Sequence, residues 1–119
     1  MPWFKVDDTL HSHPKARGVG LAALGLWVMA GSYCSQYVTE GHVPEWFVTG
    51  IVNGRRSSNE LVEAGLWTRV EGGYQFHDWD HYQITREEVE RDKALNRARQ
   101  RKFRESRREA RARAIDNDA

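Results

Sequence analysis

The last third of the chain holds too few apolar side chains to join a hydrophobic core, and this limits what the protein can fold into. Apolar residues fall almost entirely between positions 1 and 84. After position 84 the larger apolar residues, such as Val89, Leu95 and Phe103, are too sparse to form the apolar stripe of a coiled coil. We therefore predict one folded domain over residues 1–84, followed by an arginine-rich C-terminal tail over residues 85–119 that is helical or partly disordered.

Charge is divided along the chain in the same way. Residues 1–81 carry six Lys/Arg and nine Asp/Glu, a net charge of −3, whereas residues 93–113 carry ten Lys/Arg and two Asp/Glu, a net charge of +8. The overall charge of +1 conceals this division. A basic segment attached to a neutral-to-acidic domain most often binds phosphate groups.

The single cysteine, Cys34, leaves no partner for an internal disulfide. It lies in an apolar run, where a free thiol usually acts as a small buried hydrophobe. We expect a protein of the reducing cytoplasm, since no apolar run has the length of a membrane span and the first residues lack the pattern of a signal peptide. No membrane is expected among its partners.

Apolar spacing over residues 12–37 predicts a first helix. Pro14 lies near the helix start, and a break is expected near Gly18 or Gly20. A glycine cap at residues 39–41 is expected to end this helix. The residues expected on its apolar face are Leu21, Leu24, Trp27, Val28, Gly31 and Cys34.

Two shorter helices are predicted next. The first begins at residues 43–45 and carries an apolar face. The second runs over residues 57–64, opened by a capping box in which Ser57 is the cap and Glu60 stands three residues on, and it stops at Gly65.

Residues 66–70 and 74–79 are β-prone runs joined by a short glycine turn, which predicts a hairpin. The predicted fold class is therefore mainly α with a small β-hairpin: a winged helix-turn-helix followed by a long basic C-terminal helix or tail. A three-helix bundle with an incidental hairpin is the alternative.

The basic tail is the strongest candidate for a nucleic-acid-binding segment. Eight arginines and one lysine lie between positions 97 and 113, and the forked guanidinium group suits phosphate better than the lysine ammonium does. Helical spacing is expected to spread the charges round the axis. A solvated tail that only aids solubility is the alternative. The predicted contacts are Arg97, Arg99, Arg101, Lys102, Arg104, Arg107 and Arg108.

The third predicted helix is the candidate recognition helix. Arg55 and Arg56 precede this helix and are expected to bind phosphate. Ser57 and Asn59 are polar candidates for hydrogen bonds to base edges. Arg69, on the first hairpin strand, is expected to support the wing. The carboxylates of Glu60 and Glu63 oppose this interpretation, because phosphate repels them.

The sequence offers no catalytic constellation and no cofactor motif, so we expect a protein that is not an enzyme and holds no cofactor. His77 and His81 invite a metal hypothesis, but on a strand they would stand roughly 13 Å apart, too far for one zinc ion. No metal site is predicted. The five tryptophans are expected to lie in the core.

Several of these segments, in this order, resemble helix-turn-helix proteins of actinobacterial phages, and they are similar to the N-terminal winged-helix module of phage replisome organisers and replication initiators. The likeness covers roughly residues 3–104 and is carried by the segments 3–8, 24–27, 43–44, 61–67, 74–79 and 96–104. The resemblance implies a phage-encoded DNA-binding protein of the host cytoplasm, connected with replication or its regulation.

Two functions follow from the sequence. The first is DNA binding by a small phage-type winged-helix protein, with RNA as an alternative nucleic acid. The second is a protein-interaction factor whose winged helix and basic tail dock on a host protein or ribonucleoprotein complex, motivated by the net charge of −3 on the folded part. The oligomeric state is left open, with a homodimer among the alternatives.

Overall fold

The computed structural model describes residues 3–83 and 85–118, without the side chains of 82 and 116–118. The chain divides into two compact units, Met1–Arg86 and Glu87–Ala119. The protein is mainly helical, with a small three-stranded antiparallel sheet and a long C-terminal helix.

The first unit begins with a 3-10 turn, Leu10–Ser12, followed by α1 (Pro14–Arg17) and α2 (Leu21–Tyr37). His13 caps α1, because its Nδ1 accepts the backbone N–H of Lys15 at 3.2 Å. The break predicted near Gly18 or Gly20 is confirmed, since these glycines separate the two helices. The predicted glycine cap of α2 is wrong: Val38 takes the left-handed conformation there, with φ 53°.

The predicted buried face of α2 is confirmed in part. Gly31 and Cys34 are buried and Trp27 packs against the core, but Leu21 is 87% exposed and Val28 46%. The residues that face the core are mostly small: Ala23, Leu26, Ala30, Gly31, Cys34 and Ser35. The helix is apolar on nearly every side, so hydrophobic spacing alone could not select the buried face. Alanine and glycine on that face let α2 approach its neighbours closely.

The unit continues with β1 (His42–Pro44), α3 (Glu45–Thr49), α4 (Gly54–Glu63), β2 (Trp67–Val70), β3 (Gly73–Phe76) and α5 (Trp79–Tyr82). The predicted hairpin is confirmed, with Trp67 opposite Phe76. Strand β1 was missed, because Val43 and Pro44 were predicted to begin a helix. In the structure β1 pairs with the edge of β3 opposite to β2, and Val43 lies opposite Tyr74. Proline at 44 disfavours a helical Val43, which explains the extended segment.

Helix α4 begins three residues earlier than predicted, and the capping box is wrong. Asn53 precedes the helix in the left-handed conformation, with φ 57°. Ser57 lies in the second turn and faces the core rather than capping the helix. A Cβ on Gly54 would stand 1.8 Å from the backbone oxygen of Val48, so only glycine permits the close approach of α3 and α4.

Aromatic side chains form much of the core. Trp67, Phe76 and Trp79 are buried, and Phe4 packs edge-on against Trp27 with ring centroids 5.0 Å apart. The segment around Phe4 forms no strand, and the Phe4 ring anchors it to the core. Gln83 holds this segment by accepting the Lys5 N–H at 2.8 Å and donating to the Lys5 carbonyl at 2.7 Å.

The expectation that all tryptophans lie in the core is wrong for two of the five. Trp3 is 81% exposed and Trp46 is 65% exposed. Trp46 instead lies against the partly buried ring of Tyr33, with centroids 5.7 Å apart and perpendicular planes. Contact with the Tyr33 ring covers part of the Trp46 indole, and the rest of the indole is exposed to solvent.

Cys34 is fully buried, and burial raises the pKa of its thiol to about 11. The thiolate is the reactive species, so we expect almost no reaction with Ellman's reagent at about pH 8 in the folded protein. Prompt and complete reaction is expected once guanidinium chloride unfolds the chain. Equal rates in the two conditions would contradict the burial of this side chain.

Helix α6 runs from Arg86 to Asp118, and its residues from Glu87 onward form the described part of the second unit. The helical form of the tail is therefore the observed one. Residues 90–115 of this helix are exposed throughout. Within the part of the chain that the structure describes, no helix combines the length and apolarity needed to cross a membrane.

Candidate nucleic-acid interface

The exposed side of α4 carries most of the predicted contacts of the first unit. Its inner face is formed by Gly54, Ser57, Ser58 and Leu61, which are buried. The 3.6-residue period then turns Arg55, Arg56, Asn59 and Glu63 outward, and all four are exposed. The helix therefore presents two adjacent guanidinium groups at its N-terminal end.

Ser57 is a correction to the predicted site. Only 5% of this residue is exposed, because it lies on the inner face between Gly54 and Leu61. Its prediction as a base contact depended on its being a cap at the helix start. Since the helix begins at Gly54, Ser57 cannot reach a ligand.

Arg69 joins the hairpin to α4. Its guanidinium donates through Nη2 to Asn59 Oδ1 and through Nη1 to the hydroxyl of Tyr74, at 3.5 Å for the latter. The guanidinium carbon also lies 5.6 Å from the centroid of the Tyr74 ring. Three of the predicted residues, Arg55, Asn59 and Arg69, thus belong to one surface.

A buried hydroxyl pair supports this surface from below. Ser58 Oγ donates to the backbone oxygen of Arg55 at 2.8 Å and lies 3.1 Å from the Tyr74 hydroxyl. Ser58 is fully buried and Tyr74 nearly so, which fixes the ring on which Arg69 rests. Neither residue was predicted, and a small polar residue within a helix gave no signal of a partner in a distant strand.

The charges of α4 are ordered along its axis. Arg55 and Arg56 lie in the first turn of α4, and Asn59 lies one turn further on. The carboxylates of Glu60 and Glu63 occupy the C-terminal half. Phosphate is attracted by the first turn and repelled by the last. Contact with a polyanion is therefore restricted to the N-terminal end of this helix.

Helix α6 aligns its arginines more closely than predicted. Arg97, Arg101, Arg104, Arg108 and Arg111 follow one another at intervals of four, three, four and three residues. At 3.6 residues per turn they fall within an arc of about 80°. We call these five residues the arginine stripe. The expected spread of charge round the axis is wrong for them, and Arg111 was missed as a candidate.

The other basic residues of α6 lie elsewhere on the helix. Arg99, Lys102 and Arg113 face the side opposite the arginine stripe. Arg107 borders the stripe and lies over the Phe103 ring, with its guanidinium carbon 5.6 Å from the centroid. All of these residues are exposed.

The acids of this segment leave the arginine stripe uncovered. Glu105 and Glu109 lie outside its arc, and Glu109 pairs at 3.6 Å with Arg113, which is not a stripe residue. Among residues 85–118 as described, no ion pair involves a stripe arginine; the second pair joins Lys93 to Glu90 at 3.9 Å. Five guanidinium groups are thus available to an external anion.

The histidine-rich segment after β3 is not a strand, so the strand distance used for it does not apply. Asp78 takes the left-handed conformation and α5 begins at Trp79. His77 Nε2 lies 3.0 Å from Asp78 Oδ2, and both side chains are about half exposed. No group of three or more metal-ligating residues occurs in the described residues.

Comparisons of the chain with protein-family models, with curated proteins and with solved structures gave no match. The resemblance to phage helix-turn-helix proteins therefore stays a prediction from the sequence.

Proposed function

We propose that this protein binds duplex DNA, with the arginine stripe of α6 supplying affinity and the N-terminal end of α4 supplying register. The stripe is the observation that carries the proposal. It runs from Arg97 to Arg111, which is 14 steps or roughly 21 Å of helix at a rise of 1.5 Å per residue, and no acid between these positions lies within its arc. Such a row of guanidinium groups fits a line of backbone phosphates and releases their counterions.

We also propose that the first unit is a winged helix. The order helix, strand, two helices and hairpin supports this, with α2, β1, α3 and α4 preceding β2 and β3. The turn of residues 50–53 makes α3 and α4 a helix-turn-helix, and α4 its recognition helix. In such motifs the N-terminal residues of the recognition helix contact the major groove, which is where Arg55, Arg56 and Asn59 lie.

DNA is favoured over RNA by this arrangement. A recognition helix with a supporting hairpin suits the wide major groove of B-form DNA, whereas the major groove of A-form RNA is too narrow for side chains to read. A role in phage replication or its regulation would extend the proposal, and it rests on the sequence resemblance alone.

The alternative of docking on a host protein is supported by Glu63, an exposed carboxylate on the same side of α4 as Asn59. Affinity capture from a host lysate, with and without nuclease, separates the two functions. Recovery of a stoichiometric protein that survives nuclease, together with no duplex binding by the pure chain, would favour docking.

The contribution of α4 is tested with the full chain and the double variant R55Q/R56Q. We expect duplex DNA binding to weaken by about tenfold or more, because two charge-assisted contacts to phosphate or base are lost. Fluorescence anisotropy on a labelled duplex at fixed salt measures this.

The matched control is K5Q/R17Q, which removes the same charge from two exposed positions outside α4 and the hairpin. We expect it to bind within about twofold of the unchanged chain, as a screened surface charge would. Equal weakening in both double variants would reject a specific role of α4. Tighter binding to an RNA duplex than to a DNA duplex would reject the choice of DNA.

A further inference from the structure

The side-chain amide of Asn59 is held in one orientation by Arg69. A guanidinium group has donors and no acceptor, so the Asn59 atom that faces Arg69 Nη2 has to be the oxygen Oδ1. The amide nitrogen Nδ2, with its two N–H donors, is then left for a ligand. An unconstrained asparagine presents a donor and an acceptor together, whereas this asparagine presents donors.

Arg69 is itself fixed by a chain of hydrogen bonds that begins in the core. Ser58 Oγ donates its proton to the Arg55 carbonyl at 2.8 Å, so it accepts the proton of the Tyr74 hydroxyl, 3.1 Å away. The Tyr74 oxygen then accepts from Arg69 Nη1 at 3.5 Å, and the guanidinium carbon lies 5.6 Å from the ring centroid. Because Ser58 is fully buried and Tyr74 is 6% exposed, packing in the core determines how the Asn59 amide is turned.

The N-terminal end of α4 offers a ligand mainly donors. Arg55 and Arg56 are exposed and have no acceptor atom. Within residues 54–59, all of them described, the two serines are buried, so neither hydroxyl is available as an acceptor. The exposed carboxylate of Glu63 comes one turn after Asn59, roughly 6 Å further along the helix. Acceptors therefore begin only beyond this donor set.

A set of donors fits the major-groove edge of guanine better than that of any other base. Guanine presents two acceptors, N7 and O6, and no donor. Adenine presents its N6 amino group beside N7, and this donor would approach Asn59 Oδ1 next to the positive charge of Arg69. Cytosine presents an amino donor, and thymine one acceptor and a methyl group. The expected partner is thus the opposite of the usual one, because asparagine commonly pairs with adenine through N6 and N7.

We propose that Asn59 recognises a guanine in the major groove and that Arg69 is the residue that positions its amide. The inference rests on the proposed DNA binding and adds which base is selected and why. The two N–H groups of Asn59 Nδ2 donate to guanine N7 and O6. Discrimination of about tenfold between guanine and adenine is expected from one such contact.

The base preference is tested by selecting duplexes from a randomised pool with the full chain and measuring anisotropy on the selected duplex. At one position, exchange of the G·C pair for A·T is expected to weaken binding about tenfold, and Asn59→Ala is expected to bind both duplexes equally. Duplex binding without a guanine preference that depends on Asn59 would overturn this inference and leave DNA binding standing. Absence of duplex binding would overturn both.

Arg69→Met tests the positioning role on the same two duplexes, at an exposed position where methionine leaves the fold intact. Methionine has no donor and no charge, so the Asn59 amide is released to pair with adenine through both of its polar atoms. R69M is expected to bind the A·T duplex about threefold more tightly than the G·C duplex, a reversal that a displaced hairpin would not produce. The matched control Arg17→Met removes an exposed arginine outside α4 and the hairpin, and it is expected to keep the guanine preference. An R69M chain that still prefers guanine, or prefers neither base, would overturn the role of Arg69.

Discussion

Replacing Arg97, Arg104 and Arg108 by glutamine is expected to weaken duplex DNA binding by about a hundredfold. Each lost charge-assisted contact contributes about 1 kcal/mol or more, and 1.4 kcal/mol is a factor of ten. The slope of log K against log salt is expected to fall in magnitude by roughly three, because three fewer counterions are released. Anisotropy titrations at several salt concentrations give both quantities, and glutamine keeps the helix propensity.

The matched control is R99Q/K102Q/R113Q, which removes the same charge from the opposite side of α6. If the arginine stripe contacts the DNA, this variant keeps most of the affinity. Equal loss in the two triple variants would mean that only total charge matters, and the stripe would have no role. Undiminished binding by the stripe variant would remove the basis of the proposed function.

Trp67→Ala is expected to destabilise the first unit by about 3–5 kcal/mol, the cost of emptying a large aromatic site in a core. Trp67 is 2% exposed and packs on Tyr74 and Phe76, with centroids 5.3 Å and 5.5 Å away. For a domain of this size the expected fall in Tm is about 15 °C or more. Thermal unfolding followed by tryptophan fluorescence or calorimetry measures it.

Trp67→Phe is the companion variant. Trp67 Nε1 is buried with no hydrogen-bond partner in the described residues, so phenylalanine removes an unpaired donor while keeping an aromatic ring. We expect it to cost much less than alanine. If the two variants lose the same stability, the hydrogen-bonding environment of the indole differs from the one described.

The hairpin and the helical breaks were predictable because short-range chemistry determines them. The glycine turn between two β-prone runs led to the pairing of β2 with β3, and Pro14 with Gly18 marked the ends of α1. The exposed cations of α4 were predictable for a similar reason. Arg55 and Arg56 are too costly to bury unpaired, so they were expected at the surface wherever the helix began.

Features that depend on distant partners were not predictable. Strand β1 is only three residues long, and its partner Gly73–Phe76 lies about thirty residues further along the chain. The start of α4 depends on the contact of Gly54 with α3, while the local pattern around Ser57 imitates a cap. The buried pair of Ser58 and Tyr74, which supports the position of Arg69, likewise depends on the packing of the sheet against the helix.

The spacing of arginines along α6 has a consequence for how this segment can change in length. An inserted residue rotates everything after it by roughly 100°, so a single insertion near Ser106 would divide the stripe into two rows on different sides of the helix. Seven inserted residues turn the helix through nearly two full revolutions and restore the alignment to within about 20°. Rotational phase, rather than arginine content, is therefore the property of this helix that insertions and deletions would have to preserve.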